Sequence, residues 1–308
     1  MVSKMGIKVY LSSFDLDVLL EYRRLKPEAE VNVLLSYGTV NNTYYDMIVT
    51  HRDRIDSLIL DSGAFTYNFA NEFSRQKIDL DGFKYYCKTF NDYFDFIFNF
   101  DVNFTDSGYT ENCMNQNVLE EMGIKNVVPV VHDYLGTNTD EIGEFIKKYE
   151  IISLGSSEYR TDKEVVLEIV QRIKEAGRKV HLLGVSAYNS IKDVPLDYND
   201  SSNWAQAQKF GYIYFWNKPY NPDKPDIMLR FRDSEIDNPN NKLTYFEDYD
   251  YREEVEKYIK DELGITYRDL YGHNSTFCRQ LVNTHYFIKL QDHVREAHIK
   301  NGFDKLYP

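Results

Sequence analysis

Several of the polar side chains that could do chemistry in this sequence stand where short apolar runs end. Asp61 directly follows the run Ser57-Leu58-Ile59-Leu60. In parallel α/β folds, ligands and substrates bind at the carboxyl ends of the strands. The same pattern recurs along the chain and gives an inventory of strand-end candidates: Asp61 with Ser62, Asp101, His132, Gly155 with Ser156, Gly184 with Ser186, and Asp200 with Ser201. We therefore expect these residues to converge on one polar pocket.

Three carboxylates in this inventory, Asp61, Asp101 and Asp200, indicate acid, base and nucleophile roles. Cleavage of a glycosidic bond needs one carboxylate at the anomeric carbon and a second group for the proton of the leaving group. Other interpretations stay open, because a strand-end Asp often caps a helix and His132 could be structural. The chain has no CxC, HExxH or DxDxDG pattern, so a metal site at Asp61 and Asp101 is the less favoured alternative.

The elements that must position these side chains are short apolar runs, which alternate with longer amphipathic stretches. This alternation is typical of strand and helix units around a parallel sheet. The candidate strands are 7–11, 31–36, 57–60, 94–100, 127–131, 151–154, 180–183 and a weaker one near 196–199. Seven or eight strands in about 200 residues favour the α/β class and a closed (β/α)8 TIM barrel over an open sheet.

The remainder of the chain predicts helices and one insertion. The stretch 163–176 has apolar residues at helical spacing and ends at Gly177, and a shorter helix is predicted at 118–122 before Gly123. A Pro-, Asp- and Asn-rich segment at about 217–245 predicts a loop insertion. Helical periodicity returns at 251–263 and 280–299, which gives a C-terminal helical part at 250–308. We expect a single barrel domain over 1–308.

Composition limits the classes of function. The chain has 308 residues, with 36 Lys and Arg against 49 Asp and Glu, for a formal net charge of −13. This charge argues against a polybasic nucleic-acid coat and against binding to anionic membranes, although a local basic groove remains compatible with it. Residues 1–8 contain no apolar stretch of the kind a leader needs, and no apolar run approaches membrane length, so an unprocessed, cytoplasmic protein is expected. No disulfide framework or clustered zinc site is indicated by the three separated cysteines, Cys87, Cys113 and Cys278.

The ordered motifs DSGAFT, FNFD, VVPVVH, ISLGSSE, HLLGVS and NDSSNWAQAQKFG resemble those of the tRNA-guanine transglycosylases. Motifs of that family run DSGGFQ, a strand-end Asp, a QGG strand, GGLAVGE, LMGVG and FDS or FDC. The stretch from Leu281 to Ala297 is similar to the closing helix of the family, with its IHN and IREAI signature. The resemblance thus covers about residues 57–299.

This resemblance implies a (β/α)8 barrel that breaks the bond between a nucleobase and its sugar in a nucleic acid. Asp200 matches the nucleophile, which forms a covalent glycosyl-enzyme intermediate, and Asp61 matches the general acid/base. The target nucleotide must leave its stack to enter such a pocket, so nearby aromatic rings are expected to stack on it. The base-binding positions that the resemblance implies are Asp101, His132, Gly155, Ser156, Ser62 and Phe65.

Departures from the family pattern indicate a different substrate. His132 stands where the family reads guanine with Gln, the double Gly becomes Leu154-Gly155-Ser156, and Thr66 replaces the Gln of DSGGFQ. His285 stands where the family has a zinc-binding histidine, but the accompanying cysteines are missing, so we predict no zinc and no cofactor. Relatives that lack the standard tRNA role act on DNA in phages and in bacterial defence, and the chain resembles those more.

We therefore favour a DNA glycosylase that excises a modified base, with antiviral defence as its setting. The alternatives are a transglycosylase that inserts a 7-deazaguanine-type base into DNA or tRNA, and a non-catalytic nucleic-acid-binding relative. A free nucleobase would be the product or the co-substrate. The oligomeric state is not indicated. Phosphates could be bound by the basic residues after Asp200, unless these form an ordinary solvated face: Lys209, Lys218, Lys224, Arg230 and Arg232.

Overall fold

The computed structural model describes residues 6–69, 78–105, 108–232 and 244–307, and at 206–209 it describes the backbone alone. The chain divides into two compact units. The first, here called the barrel unit, comprises residues 1–13, 30–201 and 293–308, and the second unit comprises residues 14–29 and 202–292. The assignment of both to a single domain stays a prediction.

The barrel unit contains a parallel sheet, and eight strands of this sheet lie within the described residues. Each pairs with the next along the chain, and β8 pairs with β1, which closes the sheet. The predicted (β/α)8 barrel is therefore confirmed. The strands are β1 Lys8–Ser12, β2 Asn32–Ser36, β3 Ser57–Asp61, β4 Phe96–Phe98, β5 in two segments, Val127–Val128 and Val130–Val131, β6 Ile151–Leu154, β7 Lys179–Leu182 and β8 Tyr198–Ser201.

Strand β5 is interrupted at Pro129. Proline has no backbone N–H, so it cannot donate a ladder hydrogen bond, although its carbonyl accepts one from Ser153 N at 3.0 Å. The segment before Pro129 pairs with β4, and the segment after it pairs with β6. The single strand predicted at 127–131 is therefore two short segments that join the two halves of the barrel.

Inward-facing strand side chains form the core of the barrel. Successive side chains of a strand point to opposite faces, so residues two apart share a face. The buried core cluster consists of Tyr10, Leu34, Ile59, Phe96, Phe98, Val128 and Val130. Ser12, Ser36 and Asp61 each come two residues after a member of this cluster. They therefore share its face of the sheet and lie at the carboxyl ends of the strands. The barrel is thus apolar inside and polar at that end.

The helices of the barrel unit include the predicted helix at 163–176. It runs over Lys163–Glu175. Asp162 caps its N-terminus, because the Asp162 carboxylate accepts from Glu164 N and Val165 N. The helix ends before Gly177, whose φ is 71°. The helix predicted at 118–122 is the last part of a longer one, Tyr109–Glu121. The other helices are Asn42–Tyr45, Ala64–Phe69, Leu80–Phe90, Glu141–Phe145 and Tyr188–Ile191, with a π-helical turn at Asp46–Thr50.

The second unit combines helices with a small sheet. Its helices are Leu16–Leu25, Asn203–Phe210, Arg252–Leu263 and the first part of Ser275–Lys300, a helix that belongs to the barrel unit from residue 293 onward. Its strands are β9 Tyr212–Trp216, β10 Asp226–Arg230 and β11 Thr244–Tyr245. In the described ranges, no helix has both the length and the apolar character that crossing a membrane requires.

Two strands of this sheet, β10 and β11, lie inside the segment at about 217–245 that was predicted as a loop insertion. β10 pairs antiparallel with β9, from Tyr212 opposite Arg230 to Trp216 opposite Asp226. β11 pairs parallel with β10, with Leu229 opposite Thr244. The prediction of a loop is therefore wrong for 226–230 and for 244–245. A strand can form at 226–230 because Pro222 and Pro225 lie in the turn before β10 and not within the strand, where they would have blocked pairing.

Candidate active site

Asp200, the predicted nucleophile, lies in β8 with its side chain held by three donors. Ser12 Oγ donates to Asp200 Oδ2 at 2.8 Å. His181 Nε2 and the backbone N of Gly184 donate to Asp200 Oδ1 at 3.1 and 2.9 Å. The residue is only 7% exposed. Both carboxylate oxygens are therefore fixed in direction before any substrate arrives.

His181 belongs to the site although sequence reasoning missed it. Its ring is fully buried in the barrel, and its centroid lies 4.8 Å from that of Phe98 in an edge-on contact. Nδ1 has no hydrogen-bond partner among the described residues, whereas Nε2 faces an oxygen of Asp200. The proton therefore belongs on Nε2, and His181 acts as a donor that positions Asp200. The sequence does hold a signal for His181, because a histidine inside the apolar run before Gly184 is a polar residue within a predicted strand.

On the prediction that Asp200 is the nucleophile of a glycosidic cleavage, replacing His181 with Phe is expected to lower kcat of that reaction about 10- to 100-fold with little change in KM, since the ring volume is kept while the donor to Asp200 is lost. Steady-state kinetics checks this, with thermal unfolding as a test of folding. His285→Phe, which alters a buried histidine of the second unit, is the control. An unchanged kcat for His181→Phe would mean that the hydrogen bond serves only the fold.

Asp61, the predicted general acid/base, ends β3. Its Oδ2 accepts from Ser36 Oγ at 2.8 Å and from the backbone N of Gly63 at 2.9 Å. Burial and the nearby charge of Asp101 raise the pKa of Asp61 to about 7, against the opposing effect of these two hydrogen bonds. The charge of Asp200 also contributes to the raised pKa. Asp61 is thus a carboxyl group that can be either protonated or ionised near neutral pH.

The two catalytic candidates and two serines that bind them lie on four neighbouring strands. The strand order is β8, β1, β2, β3, so Ser12 and Ser36 stand on the two strands between Asp200 and Asp61. Each serine donates to the carboxylate of the adjacent outer strand. Sequence reasoning missed both serines. The arrangement keeps the two carboxylates at one end of the barrel while giving each its own set of donors.

Asp101 and His132, both predicted to bind the base, form a buried pair. His132 Nε2 lies 3.1 Å from Asp101 Oδ2, and the two residues are 6% and 3% exposed. Ser62 Oγ donates to Asp101 Oδ1 at 3.1 Å, which brings a third predicted residue into the cluster. On the other side of the ring, His132 Nδ1 lies 2.9 Å from the carbonyl oxygen of Ser156. Four of the predicted base-binding residues are therefore in one hydrogen-bonded group.

Both ring nitrogens of His132 face oxygen acceptors. A neutral imidazole can donate from only one nitrogen, so this geometry favours the imidazolium form of His132. Burial alone would lower the pKa of His132, but the hydrogen bond and the charge of Asp101 raise it above its usual value. The backbone N of His132 donates to Glu141 Oε2 at 2.9 Å, which adds a second carboxylate to the surroundings.

Gly155 allows the close approach of His132. A Cβ at Gly155 would lie 2.5 Å from Val130 Cγ1 and 2.8 Å from His132 Cε1, so any side chain here would displace the ring. The carbonyl oxygen of Gly155 accepts from Tyr134 Oη at 2.9 Å, and its backbone N donates to the carbonyl of Val131. The backbone N–H and carbonyl of Gly155 are thus both engaged in hydrogen bonds beside His132.

Phe65, the remaining base-binding prediction, begins a row of aromatic rings that leads to His132. Phe65 and Phe69 are 61% and 64% exposed, with ring centroids 4.7 Å apart. Phe104 follows at 6.2 Å from Phe69 and lies 4.7 Å from the His132 ring. Exposed aromatic rings in a row are suited to stacking on bases. Phe104 was missed because nothing in its local sequence marks it.

The predicted phosphate-binding residues lie in the second unit. Lys218 is exposed and its Nζ lies 5.8 Å from the Trp216 ring centroid, and Lys224 is also exposed. The side chain of Lys209 lies outside the described residues. Binding of phosphate by these lysines stays a prediction.

The two arginines of that prediction are already engaged. Arg230 is only 8% exposed in β10. Arg232 forms a salt bridge with Asp248, and its guanidinium lies 4.9 Å from the Tyr245 ring centroid. Their binding of phosphate also stays a prediction, and any phosphate would compete with these contacts.

His285 lies in the second unit, with Nδ1 2.9 Å from Tyr22 Oη. Burial lowers the pKa of His285 to about 4. Among the described residues, no group of three or more His, Cys, Asp and Glu side chains is arranged to hold a metal ion. The expected lack of zinc stays a prediction.

The barrel end therefore carries a carboxylate fixed by three donors, a carboxyl group that titrates near neutrality, and a buried Asp–His pair. Such a set can attack an electrophilic carbon, transfer a proton to a leaving group, and hold a polar ring by its edge. Comparison of the chain with protein-family models and with curated proteins gave no match.

Proposed function

We propose that this protein cleaves the N-glycosidic bond of a nucleobase in a nucleic acid, and that it acts as a DNA glycosylase on a modified base. The observation that carries the proposal is that two different carboxyl groups stand at one end of the barrel. Asp200 is fixed by three donors, and the pKa of Asp61 is raised to about 7 by burial and by Asp101. Cleavage of a glycosidic bond requires one carboxylate that attacks the anomeric carbon and one carboxyl group that carries a proton for the leaving group.

The first step forms a bond between an Asp200 oxygen and C1′ of the target sugar. The bond between C1′ and the base nitrogen breaks, and its electron pair leaves with the base. Asp61, in its protonated form, donates its proton to the departing base. The free base and a glycosyl ester on Asp200 result, with Asp61 now ionised.

In the second step a water molecule attacks C1′, and ionised Asp61 takes a proton from it. The bond from C1′ to Asp200 breaks, and the electron pair returns to the carboxylate. Ser12, His181 and Gly184 stabilise that carboxylate as it forms again. The nucleic acid keeps an abasic sugar, and Asp61 is protonated for the next cycle.

The substrate part of the proposal rests on the base pocket and on the resemblance to tRNA-guanine transglycosylases. A duplex base must be extruded to reach such a site, and exposed Phe65 and Phe69 are suited to stacking on it. His132 takes the place of the guanine-reading Gln, and both of its ring nitrogens are already occupied by Asp101 and Ser156. A base other than guanine is therefore proposed, and defence against phage DNA is its proposed setting.

Base exchange is the alternative, because an incoming 7-deazaguanine-type base could resolve the same Asp200 ester in DNA or tRNA. A binding protein without catalysis is less well supported. Three carboxyl groups at one end of the barrel would only repel a phosphate polymer, so a pure binder gains nothing from them.

The test is incubation with unmodified DNA, hypermodified phage DNA and bulk tRNA. Released base is identified by mass spectrometry, and abasic sites are detected as alkali-labile breaks. Release of a modified base with strand lability is the expected result. Incorporation of labelled base without lability would assign base exchange instead, and neither release nor incorporation with any polymer would overturn the enzymatic proposal.

A further inference from the structure

Arg160 lies beside the nucleophile. It sits in the turn between β6 and the helix Lys163–Glu175, and its Nη1 is 3.6 Å from the position that a Cβ on Gly184 would take. The backbone N of Gly184 donates to Asp200 Oδ1 at 2.9 Å. These contacts place the guanidinium no more than about 9 Å from the Asp200 carboxylate.

The guanidinium of Arg160 has no hydrogen bond, ion pair or ring contact with any residue in the described part of the chain. By contrast, the other described arginines of the barrel unit bind a carboxylate or a carbonyl: Arg52, Arg54, Arg172, Arg178 and Arg295. Arg160 is half-buried. A partly desolvated cation without a partner is unfavourable, which indicates an anion that is brought by a ligand.

Arg160 is also close to Tyr134, which contacts the predicted base-binding residue Gly155. Burial raises the pKa of Tyr134, and the positive charge of Arg160 opposes that rise, so the two side chains are close enough to interact. Tyr134 Oη donates to the carbonyl oxygen of Gly155. Arg160 is thus close both to Tyr134, which binds the Gly155 carbonyl, and to Gly184, which binds Asp200.

We propose that Arg160 binds a phosphodiester next to the target nucleotide, and that this contact aligns C1′ of the sugar with Asp200. This inference rests on the proposed function. The phosphates of a nucleotide are attached to the same sugar that Asp200 attacks, so an anion site close to Asp200 is suited to one of them. The guanidinium fork binds two phosphate oxygens at once.

The charge of the protein supports the same conclusion. A chain of net charge −13, with Asp61, Asp101 and Asp200 at the site, repels a polyanion. Gly184 presents no side chain beside the guanidinium, and Arg160 Nη1 is the one atom within 4 Å of the position of a Cβ there, among the described residues beyond the chain neighbours of Gly184. Arg160 therefore supplies the local positive charge that a nucleic acid needs in order to approach these carboxylates.

The experiment measures binding of a fluorescein-labelled single-stranded DNA by anisotropy, in KCl from about 50 to 200 mM. The proteins are the wild type, Arg160→Ala, Arg160→Lys and Arg54→Ala. Arg54 is the matched control, since it precedes β3 at the opposite end of the barrel strands. Thermal unfolding verifies that each variant is folded.

For Arg160→Ala we expect Kd to rise about 10-fold and the slope of log K against log salt to become shallower by about 0.7, which corresponds to one lost phosphate contact. Arg160→Lys keeps the charge and should keep the slope, but lose affinity. Arg54→Ala should match the wild type.

The outcomes separate this inference from the proposed function. If the wild type binds DNA and Arg160→Ala binds it with the same affinity and salt slope, the Arg160 site is wrong while the proposed function stands. If the shallower slope appears without base release from any polymer, the phosphate site stands and the enzymatic proposal is overturned. No binding of DNA or tRNA by the wild type would overturn both.

Discussion

Replacing Asp200 with Asn is expected to lower the rate of base release by roughly 10⁴-fold, with nucleic-acid binding retained. The amide has the size of the carboxylate: its oxygen can still accept from Gly184 N and His181 Nε2, and its NH2 group can donate to Ser12 Oγ. It cannot, however, supply the electron pair that forms the ester with C1′. Single-turnover release of base, measured together with DNA binding, separates these effects.

The Asp200 prediction also has a direct chemical readout. Denatured wild-type protein, quenched during turnover, should carry a sugar adduct on the peptide that contains Asp200, and mass spectrometry detects it. Asp193→Asn is the control, because Asp193 is a partly exposed carboxylate in the loop before β8 that pairs with Lys163. If Asp200→Asn kept more than a tenth of the wild-type rate, Asp200 would not be the nucleophile.

The catalytic candidates were predictable because their positions depend on strand ends. In a closed parallel barrel all carboxyl ends lie at one edge, whatever the loops between them do. Asp61 and Asp200 each end an apolar run, so the alternation of strands and helices was enough to bring them to the same edge. The details of the connecting loops were not needed.

The donors to these carboxylates were not predictable in the same way. Ser12, Ser36 and His181 act through the direction of their side chains and through pairing between particular strands. A shift of one residue in a strand turns its side chain to the other face of the sheet. Sequence patterns leave strand boundaries uncertain by at least that much, so the donors became visible only with the pairing of β8 with β1 and of β2 with β3.

His132 shows a similar limit. Its place after β5 was predicted, but its state depends on a carbonyl of Ser156 and on the missing side chain of Gly155. Neither backbone direction nor space around a ring can be inferred from residue types alone. The Asp101–His132 pair is therefore a structural finding, although both members were named from the sequence.

The two carboxyl groups proposed as catalytic differ through their surroundings and not through their chemistry. Asp200 has three donors, one of them a histidine ring. Asp61 has two donors and lies near Asp101, and burial together with that charge raises the pKa of Asp61 to about 7. The same residue type can thus serve as a nucleophile in one position and as an acid in the other.

Replacing Asp61 with Asn is expected to lower kcat/KM by roughly 10³-fold, because the departing base loses its proton donor. The wild-type pH profile should report the same group. The pKa of Asp61 is raised, so the acid form persists up to about pH 7, and kcat/KM should fall tenfold per pH unit above that point. Asp61→Asn should be slow and lack this alkaline limb.

Two neighbouring variants should move the limb in opposite directions. Asp101→Asn removes a negative charge near Asp61, so the pKa of Asp61 falls and the limb moves to lower pH. Ser36→Ala removes a hydrogen bond to the ionised form, so the pKa rises and the limb moves to higher pH. Profiles of kcat/KM against pH for the three proteins measure both shifts. A limb that stays in place in both variants would mean that another group transfers the proton to the leaving base.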